Sequence, residues 1–338
     1  MVDLSVMIPA RDAGKTLFET LESIVKYIPD NLNYEILVGN HLSEDDTIEE
    51  FGRFQEKLYG DIALTNEPVA ISIVGVDAPE TTVGYVRNVL AKYAQGAYFL
   101  FLDADTCLTP AWKDACAKQF EGYDLNGFAV PHEATSSVPL VPFLGWNSSW
   151  VWENWFKYFA YGCKGEKVRF GGYLRGAHIL LHREMFHSAG GFNESLVTGE
   201  DVDLSNRLAG MGVKIRHNPG MVVTHGGYPK TLKTFFKREV WHGIGDFQSA
   251  DTFGESAVAQ VATIFALQLP VFLFALFADW RLAVISLLAL VLIPLTMSLK
   301  KFKGLSPVSR FNNWLICNVY LTARATSFFF RGHKRRLA

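Results

Sequence analysis

Hydrophobic positions in the first half of the chain switch period in a regular alternation. "LSVMIP" is a short apolar run of strand type, and "GKTLFETLESIVKYI" then places Leu17, Leu21, Ile24, Val25 and Ile28 at helical spacing. "YEILVG" reads as a second strand. "SEDDTIEEFGRFQEKL" reads as an amphipathic helix whose Ser43 stands three residues before Asp46 in a capping-box arrangement. "AISIVGV", "TVGYVRNVLAKYA" and "AYFLFL" continue as strand, helix and strand, and Thr109 then caps a helix with Pro110 at its first position. Such alternation predicts an α/β fold with a Rossmann-like, mostly parallel sheet. Open sheets of this kind gather ligands at the carboxyl ends of their strands.

The pattern changes after Glu255. Ser256 to Ala278 carries no charge, and beyond Asp279 to Arg281 a second uncharged run extends from Leu282 to Leu299. Each approaches the roughly 20 residues that cross a bilayer core as a helix. Core helices of a soluble domain are the alternative, although globular helices of this length usually keep a polar face. Pro270 and Pro294 do not exclude spanning, since membrane helices tolerate proline. Basic residues cluster before the first run (Lys230, Lys233, Lys237, Arg238) and after the second (Lys300, Lys301, Lys303), with Arg281 alone between them. Both ends are therefore expected to face the cytoplasm, which places the chain at an inner or plasma membrane with its globular part cytoplasmic. "MVDLSVMIPA" starts directly as a strand with no signal-peptide pattern, which agrees. Phe311 to Phe330 is apolar but broken by Asn312, Asn313, Asn318 and Arg324, so an interfacial helix is expected there, and "RGHKRRLA" reads as an anchor to acidic lipid. The expected organisation is a globular domain over residues 1–250 and membrane-anchoring helices with a basic tail over 251–338.

Composition adds bounds. The 338 residues are 49% hydrophobic and 20% charged, enough for one or two domains with apolar material left over. A net charge of -2 with no basic stripe argues against a nucleic-acid partner. Cys107, Cys116, Cys163 and Cys317 lack paired spacing, so neither a disulfide framework nor a zinc site is indicated.

The chemistry concentrates in two acidic places. In "GAYFLFLDADTCLTP" a buried-type strand ends in Asp103 and Asp105, where two carboxylates can share a divalent cation and through it bind a diphosphate. The plain alternative is that Asp105 precedes a helix and Asp103 is solvated. In "TGEDVDLSNRL", Glu200 and Asp201 open a helix, and Asp203 with Arg207 reads as a surface pair at i and i+4. His225 follows the strand-like "MVVT". Trp146, Trp150, Trp152 and Trp155 suit a sugar ring, a lipid acceptor, a bilayer interface or plain packing.

Five segments in order carry a family resemblance: "VMIPARDAGKTL", "EILVGNHLSEDDT", "VGYVRNVLAKYAQGAYFLFLDADT", "GGFNESLVTGEDVDLSNRL" and "VVTH". Over about residues 3 to 247 the sequence resembles a family 2 glycosyltransferase, of the inverting group with a GT-A fold, here followed by a C-terminal transmembrane helical hairpin. The resemblance implies a nucleotide-diphosphate sugar donor, a divalent metal (Mn2+ or Mg2+), and transfer with inversion to an acceptor hydroxyl. It sets Pro9, Ala10 and Arg11 in the loop around base and ribose. Asn40 stands where a carboxylate usually contacts the nucleoside, which leaves UDP only a default donor. Arg87, with Asn88, matches the family's Arg-Asn pair, and a guanidinium there can pair with phosphate oxygens or stack on the base. Asp103 and Asp105 would bind metal and donor, and Asp201 of the Glu200–Asp201 pair would be the catalytic base. His225 falls where related enzymes can offer an imidazole to the metal, a donor set that suits manganese. His178 lies in a sheet-like stretch facing the acceptor region by analogy.

"FKREVWHG" departs from the Gln-x-x-Arg-Trp pattern of processive relatives, which implies one sugar per encounter. The acceptor is expected to be a saccharide or lipid-linked molecule beside the membrane. A polyprenyl-phosphate sugar synthase, a nucleotidyltransferase and a non-catalytic nucleotide-binding protein of the same fold are the alternatives.

Overall fold

The computed structural model describes residues 2–60, 68–79, 81–121, 133–140, 169–170, 172–226, 229, 231–301 and 307–332. The tryptophan cluster at 146–155, Cys163, Lys230, Lys303 and the tail beyond residue 332 lie outside the described residues. The chain divides into two compact units, one of Met1–Pro142, Gly165–Ser195 and Glu200–Tyr228, the other of Phe143–Lys164, Leu196–Gly199 and Pro229–Ala338.

The first unit opens as the alternation predicts: β1 (Leu4–Ala10), α1 (Leu17–Tyr27), β2 (Tyr34–Asn40), α2 (Thr47–Gly60), β3 (Ala70–Gly75), α3 (Val83–Tyr93) and β4 (Tyr98–Leu102). Strands β3, β2, β1 and β4 are neighbours and all parallel. Both faces of this half-sheet are covered, which is why its central strands read as continuous apolar runs. Leu4, Val6 and Ile8 pack with Leu21 and Ile24 of α1 in one core, whereas Met7 joins Leu90 of α3, Phe99 and Phe101 in the other. At one end of the strands the buried Glu35 carboxylate joins three segments: Ser5 Oγ donates to it at 2.6 Å and the Gln95 N–H at 2.6 Å.

The second half of the sheet is mixed. It contains β5 (Thr106–Leu108), β6 (Glu133–Leu140), β7 (Arg169–Phe170), β8 (His178–His182) and β9 (Lys214–His225), with α4 (Pro110–Glu121), α5 (Arg183–Ser188) and α6 (Glu200–Gly210) between them. The path is β3-β2-β1-β4-β8-β6-β9-β5, with β7 on β9. β8 runs antiparallel to both neighbours and β5 and β7 run antiparallel to β9, whereas β6 and β9 are parallel, so the continuous parallel run is the first four strands and the rest of the sheet is mixed. Antiparallel neighbours need no crossover helix, so the strand and helix alternation carries no trace of them.

One helix start also differs. The expected cap at Ser43 is not formed, and α2 begins at Thr47. Ser43 Oγ instead accepts from the Asp12 N–H at 3.0 Å, and Asp12 Oδ1 accepts from the Glu44 N–H at 2.8 Å. Asp45 accepts from the N–H groups of Thr47 at 3.1 Å and Gly14 at 2.9 Å. These polar side chains fasten the loops after β1 and β2 to each other, and Asp12 (φ 51) and Leu42 (φ 49) take left-handed backbone there. Strain of this sort collects at ligand-binding rims. Thr109 does cap α4, accepting from the Trp112 N–H at 3.2 Å.

The second unit contains α7 (Leu232–Gly243), α8 (Ala250–Glu255), α9 (Ala257–Ala278), α10 (Trp280–Lys301) and α11 (Pro307–Thr326). α9 and α10 coincide with the uncharged runs and are long and apolar enough to cross a membrane; only 17% and 22% of their most apolar windows is buried, unlike helices of a soluble core. α11, expected at an interface, packs against α7, α9 and α10 within its unit, burying Ile316, Cys317, Tyr320 and Leu321. Its Arg324 pairs with Glu239 at 3.1 Å and Asp246 at 3.3 Å, which gives the charged interruption of that apolar stretch an internal purpose.

Candidate active site

β4 is fully buried and releases Asp103 and Asp105 at its carboxyl end. The Thr106 N–H donates to the Asp103 carbonyl at 3.0 Å, turning the chain sharply into β5. β5 pairs with β9 in a register that sets Thr106 opposite His225, and the Gly226 N–H donates to the Asp105 carbonyl at 2.8 Å. His225 Nε2 thereby lies 3.1 Å from Asp105 Oδ1 and 3.7 Å from Asp103 Oδ2. One donor atom from each of the three residues falls within 4.8 Å of the others.

The electrostatics favour a cation there. Burial alone would strip the proton from His225, but hydrogen bonds and charge from Asp103 and Asp105 outweigh it and push its pKa up to about 9. Burial would raise Asp103, yet His225 and Arg87 hold it well below the usual carboxylate range. A pocket that stabilises positive charge, lined by two carboxylates and an imidazole, fits Mn2+ or Mg2+, with the imidazole favouring manganese.

The second acidic place joins the first through Arg87. This side chain is 2% exposed, and Nη1 donates to Glu200 Oε1 at 2.6 Å. Nη2 donates to Asp103 Oδ1 at 2.8 Å and to the Gly176 carbonyl at 3.1 Å. The Gly176 N–H in turn donates to Asp201 Oδ2 at 2.9 Å, and Asp201 Oδ1 accepts from the Val202 N–H at 2.8 Å. Arg87, expected from the sequence to meet the donor, is thus turned inward onto two carboxylates. Burial and the Glu200 carboxylate push the Asp201 pKa up to about 7, against the opposing pull of the Gly176 N–H and Arg87. A carboxylate that titrates near neutrality at a helix start is suited to general-base work.

Asn88 has a role that its place beside Arg87 did not disclose. Its amide clasps the main chain of Phe192, donating to the carbonyl at 2.9 Å and accepting from the N–H at 2.9 Å. It thereby pins the loop that leads to α6. Gly191 in that loop has φ +72, and a Cβ there would lie 2.8 Å from Asn88 Oδ1, so the glycine is required by both backbone and space. The visible signal was the Gly-Gly pair ahead of the acidic helix.

The remaining residues sit at the ends of β1 and β2. Pro9 pairs with Gly39 and Ala10 with Asn40, while Arg11 follows, its Nε 3.9 Å from Asp12 Oδ2. Asn40 Oδ1 is buried with no hydrogen-bond partner among the described residues, an acceptor that a ligand N–H or O–H can satisfy. His178 belongs to the core: fully buried, its pKa pushed down to about 3 by desolvation, it accepts from Trp112 Nε1 at 2.8 Å. Asp203 and Arg207 form the expected i, i+4 pair, with Nε donating at 3.0 Å.

Residues 5–186, over half of the chain, match the model of glycosyl transferase family 2, and residues 98–323 match that of glycosyl transferase family group 2. The chain belongs to glycosyl transferase family 2. This family 2 chain is 32% identical over 71 residues to the pre-mycofactocin glycosyltransferase of Mycobacterium tuberculosis, covering 21% of the chain and 15% of that relative. It is 26% identical over 158 residues to the poly(ribitol-phosphate) β-N-acetylglucosaminyltransferase TarS of Staphylococcus aureus, covering 46% of the chain and 24% of TarS. The matches therefore span less than a quarter of the length of these curated relatives. Among solved structures, the mannosyltransferase PcManGT of Pyrobaculum calidifontis in complex with GDP-Man and Mn2+ aligns over 97% of the chain and 87% of its own, with TM-score 0.55 and 16% identity. GalNAc-T7 with UDP, GalNAc and Mn2+ aligns over 75% of the chain and 51% of its own, with TM-score 0.51 and 18% identity. At such identities the likeness is one of fold, the GT-A arrangement that the sequence predicted.

Proposed function

We propose that the chain moves a sugar from a nucleoside-diphosphate sugar to an acceptor hydroxyl in one inverting displacement. The observation that carries this reading is the unbroken path from His225 and Asp105 through Asp103, Arg87 and Gly176 to Asp201, which brings a cation site and a near-neutral base to one rim of the sheet. Asp103, Asp105 and His225 would hold Mn2+ or Mg2+, which when bound supplies positive charge to a departing diphosphate. Asp201 takes the proton of the acceptor hydroxyl as its oxygen attacks, and Glu200 shares with it the start of α6. Pro9, Ala10, Arg11 and Asn40 receive the nucleoside; UDP is the default, and the open Asn40 acceptor gives the base a contact. Solved relatives of like fold bind UDP or GDP-Man with Mn2+, which supports the donor class.

The acceptor is a saccharide or lipid-linked molecule at a membrane. α9 and α10 would form the spanning hairpin, with both ends and the catalytic unit on the cytoplasmic side, as the flanking lysines support. A polyprenyl-phosphate acceptor arrives already ionised and needs no base, so the raised proton affinity of Asp201 favours a hydroxyl. Asp201→Asn tests the assignment: nucleoside diphosphate binding with Mn2+ is retained while transfer falls by about 10²–10⁴-fold. A loss below tenfold overturns the base role. NMR of the product tests inversion, since an α-linked donor must give a β-linked product.

A further inference from the structure

We infer that Arg87 is a positioning residue that clamps the metal-site carboxylate Asp103 to the helix bearing Asp201, and is not a contact to the sugar nucleotide. The inference rests on the reading above for what the two carboxylates do. Its own support is geometric. The two terminal nitrogens point to different acidic residues, Glu200 at 2.6 Å and Asp103 at 2.8 Å, one after β4 and the other opening α6. Both terminal nitrogens already donate to protein acceptors, Nη1 to Glu200 and Nη2 to Asp103 and the Gly176 carbonyl, and the side chain is buried, so the forked end of the guanidinium is committed within the protein. The guanidinium carbon lies over the Phe192 ring, 5.3 Å from its centre, in the loop that Asn88 pins.

Two glycines allow the close approach. A Cβ on Gly176 would come 3.2 Å from Nη2, and one on Gly84 would come 3.3 Å from Phe192 Cβ and 3.6 Å from Glu200 Cβ. Gly176 then relays the clamp, since its carbonyl receives Arg87 while its N–H holds Asp201. Among the described residues, the charged groups that act most on Asp201 are Glu200 on its own helix and Arg87 on α3. A lysine keeps the charge but carries one nitrogen, which cannot bridge two carboxylates as the planar fork does.

The test uses the full-length enzyme and the variants Arg87→Lys, Arg87→Met and Arg87→Met/Glu200→Gln. A clamp predicts that Arg87→Lys lowers kcat about 100-fold while the donor KM changes by less than about threefold, because an interaction acting only through alignment is lost. It also predicts that Arg87→Met lowers the melting temperature by about 5 °C or more, since buried carboxylates lose their partner. Removing the Glu200 charge as well should restore at least half of that loss, the mark of a coupled pair. A donor KM raised more than tenfold with kcat nearly unchanged would identify a nucleotide contact and overturn the clamp. Additive melting shifts in the double variant overturn it equally. If the wild type transfers no sugar, the functional reading falls while the melting cycle still judges the clamp.

Discussion

The titration of Asp201 gives the sharpest test of the catalytic assignment. Burial and the Glu200 carboxylate raise its pKa from 3.8 to about 7, so the base is half ionised at neutrality. About a tenth is ionised at pH 6 and about nine-tenths at pH 8, so kcat/KM should climb about tenfold across that interval and then level off. The assay is initial-rate transfer at subsaturating donor, with Mn2+ held constant, from pH 5 to 9. Asp201→Asn should be slow and should lose the limb. The same group also predicts a stability effect. Its folded pKa lies above the unfolded value, so between about pH 4 and 7 the folded chain holds a proton that the unfolded chain has released. The stabilisation is complete below about pH 4 and is lost as pH rises through 7. The melting temperature of Asp201→Asn, relative to wild type, should therefore increase across this window. A wild-type rate limb centred below pH 5, or a melting difference that does not change between pH 4 and 7, refutes the environment ascribed to Asp201.

Two further outcomes follow from named contacts. Glu35→Ala deletes the bonds to Ser5 and Gln95 and leaves the buried Ser5 hydroxyl without its acceptor; at about 1–3 kcal/mol per unsatisfied group, a loss of at least about 1 kcal/mol is expected by denaturant unfolding in detergent, and less than about 0.5 kcal/mol would show that another acceptor or water takes over. A panel of nucleoside diphosphates at about 100 times Kd should stabilise the wild type by about 2.7 kcal/mol only with Mn2+ present, and Asp105→Ala should abolish the metal dependence; stabilisation unaffected by either change contradicts the proposed cation site.

Of the first four strands, β1, β2 and β4 were legible because each is a largely apolar run buried on both faces, and β3, an edge strand with only Ile71 buried, because its apolar run follows a helix pattern. β6, "EATSSVPL", has no such run, and although the stretches at β8 and before His225 read as sheet-like, their pattern carries neither direction nor order, so the mixed pairing was hidden. α2 was placed too early because Ser43 and Asp46 match a local capping pattern, whereas Ser43 bonds to Asp12, 31 residues away. Local pattern and tertiary demand compete for the same polar side chains. In the site, Asp103, Asp105, Glu200, Asp201 and His225 were marked by their positions at strand ends and a helix start. The convergence of His225 on the two aspartates was legible only through the family resemblance, since it depends on the β5–β9 register. The partners of Arg87 lie 16 and 113 residues away, which no spacing rule connects.

The charge arrangement explains why like charges gather at the mouth of this core. Asp103, Asp105, Glu200 and Asp201 bring four carboxyl groups together, against which the described residues set Arg87 and His225. Arg87 is committed to Glu200 and Asp103, so it cannot also neutralise an incoming diphosphate. His225 carries a proton that its neighbours hold tightly, and a metal ligand must give that proton up. A diphosphate arriving alone would therefore meet an acidic rim whose buried arginine is already paired. On the proposed function, donor binding then requires the cation, a coupling that follows from where the buried Arg87 points.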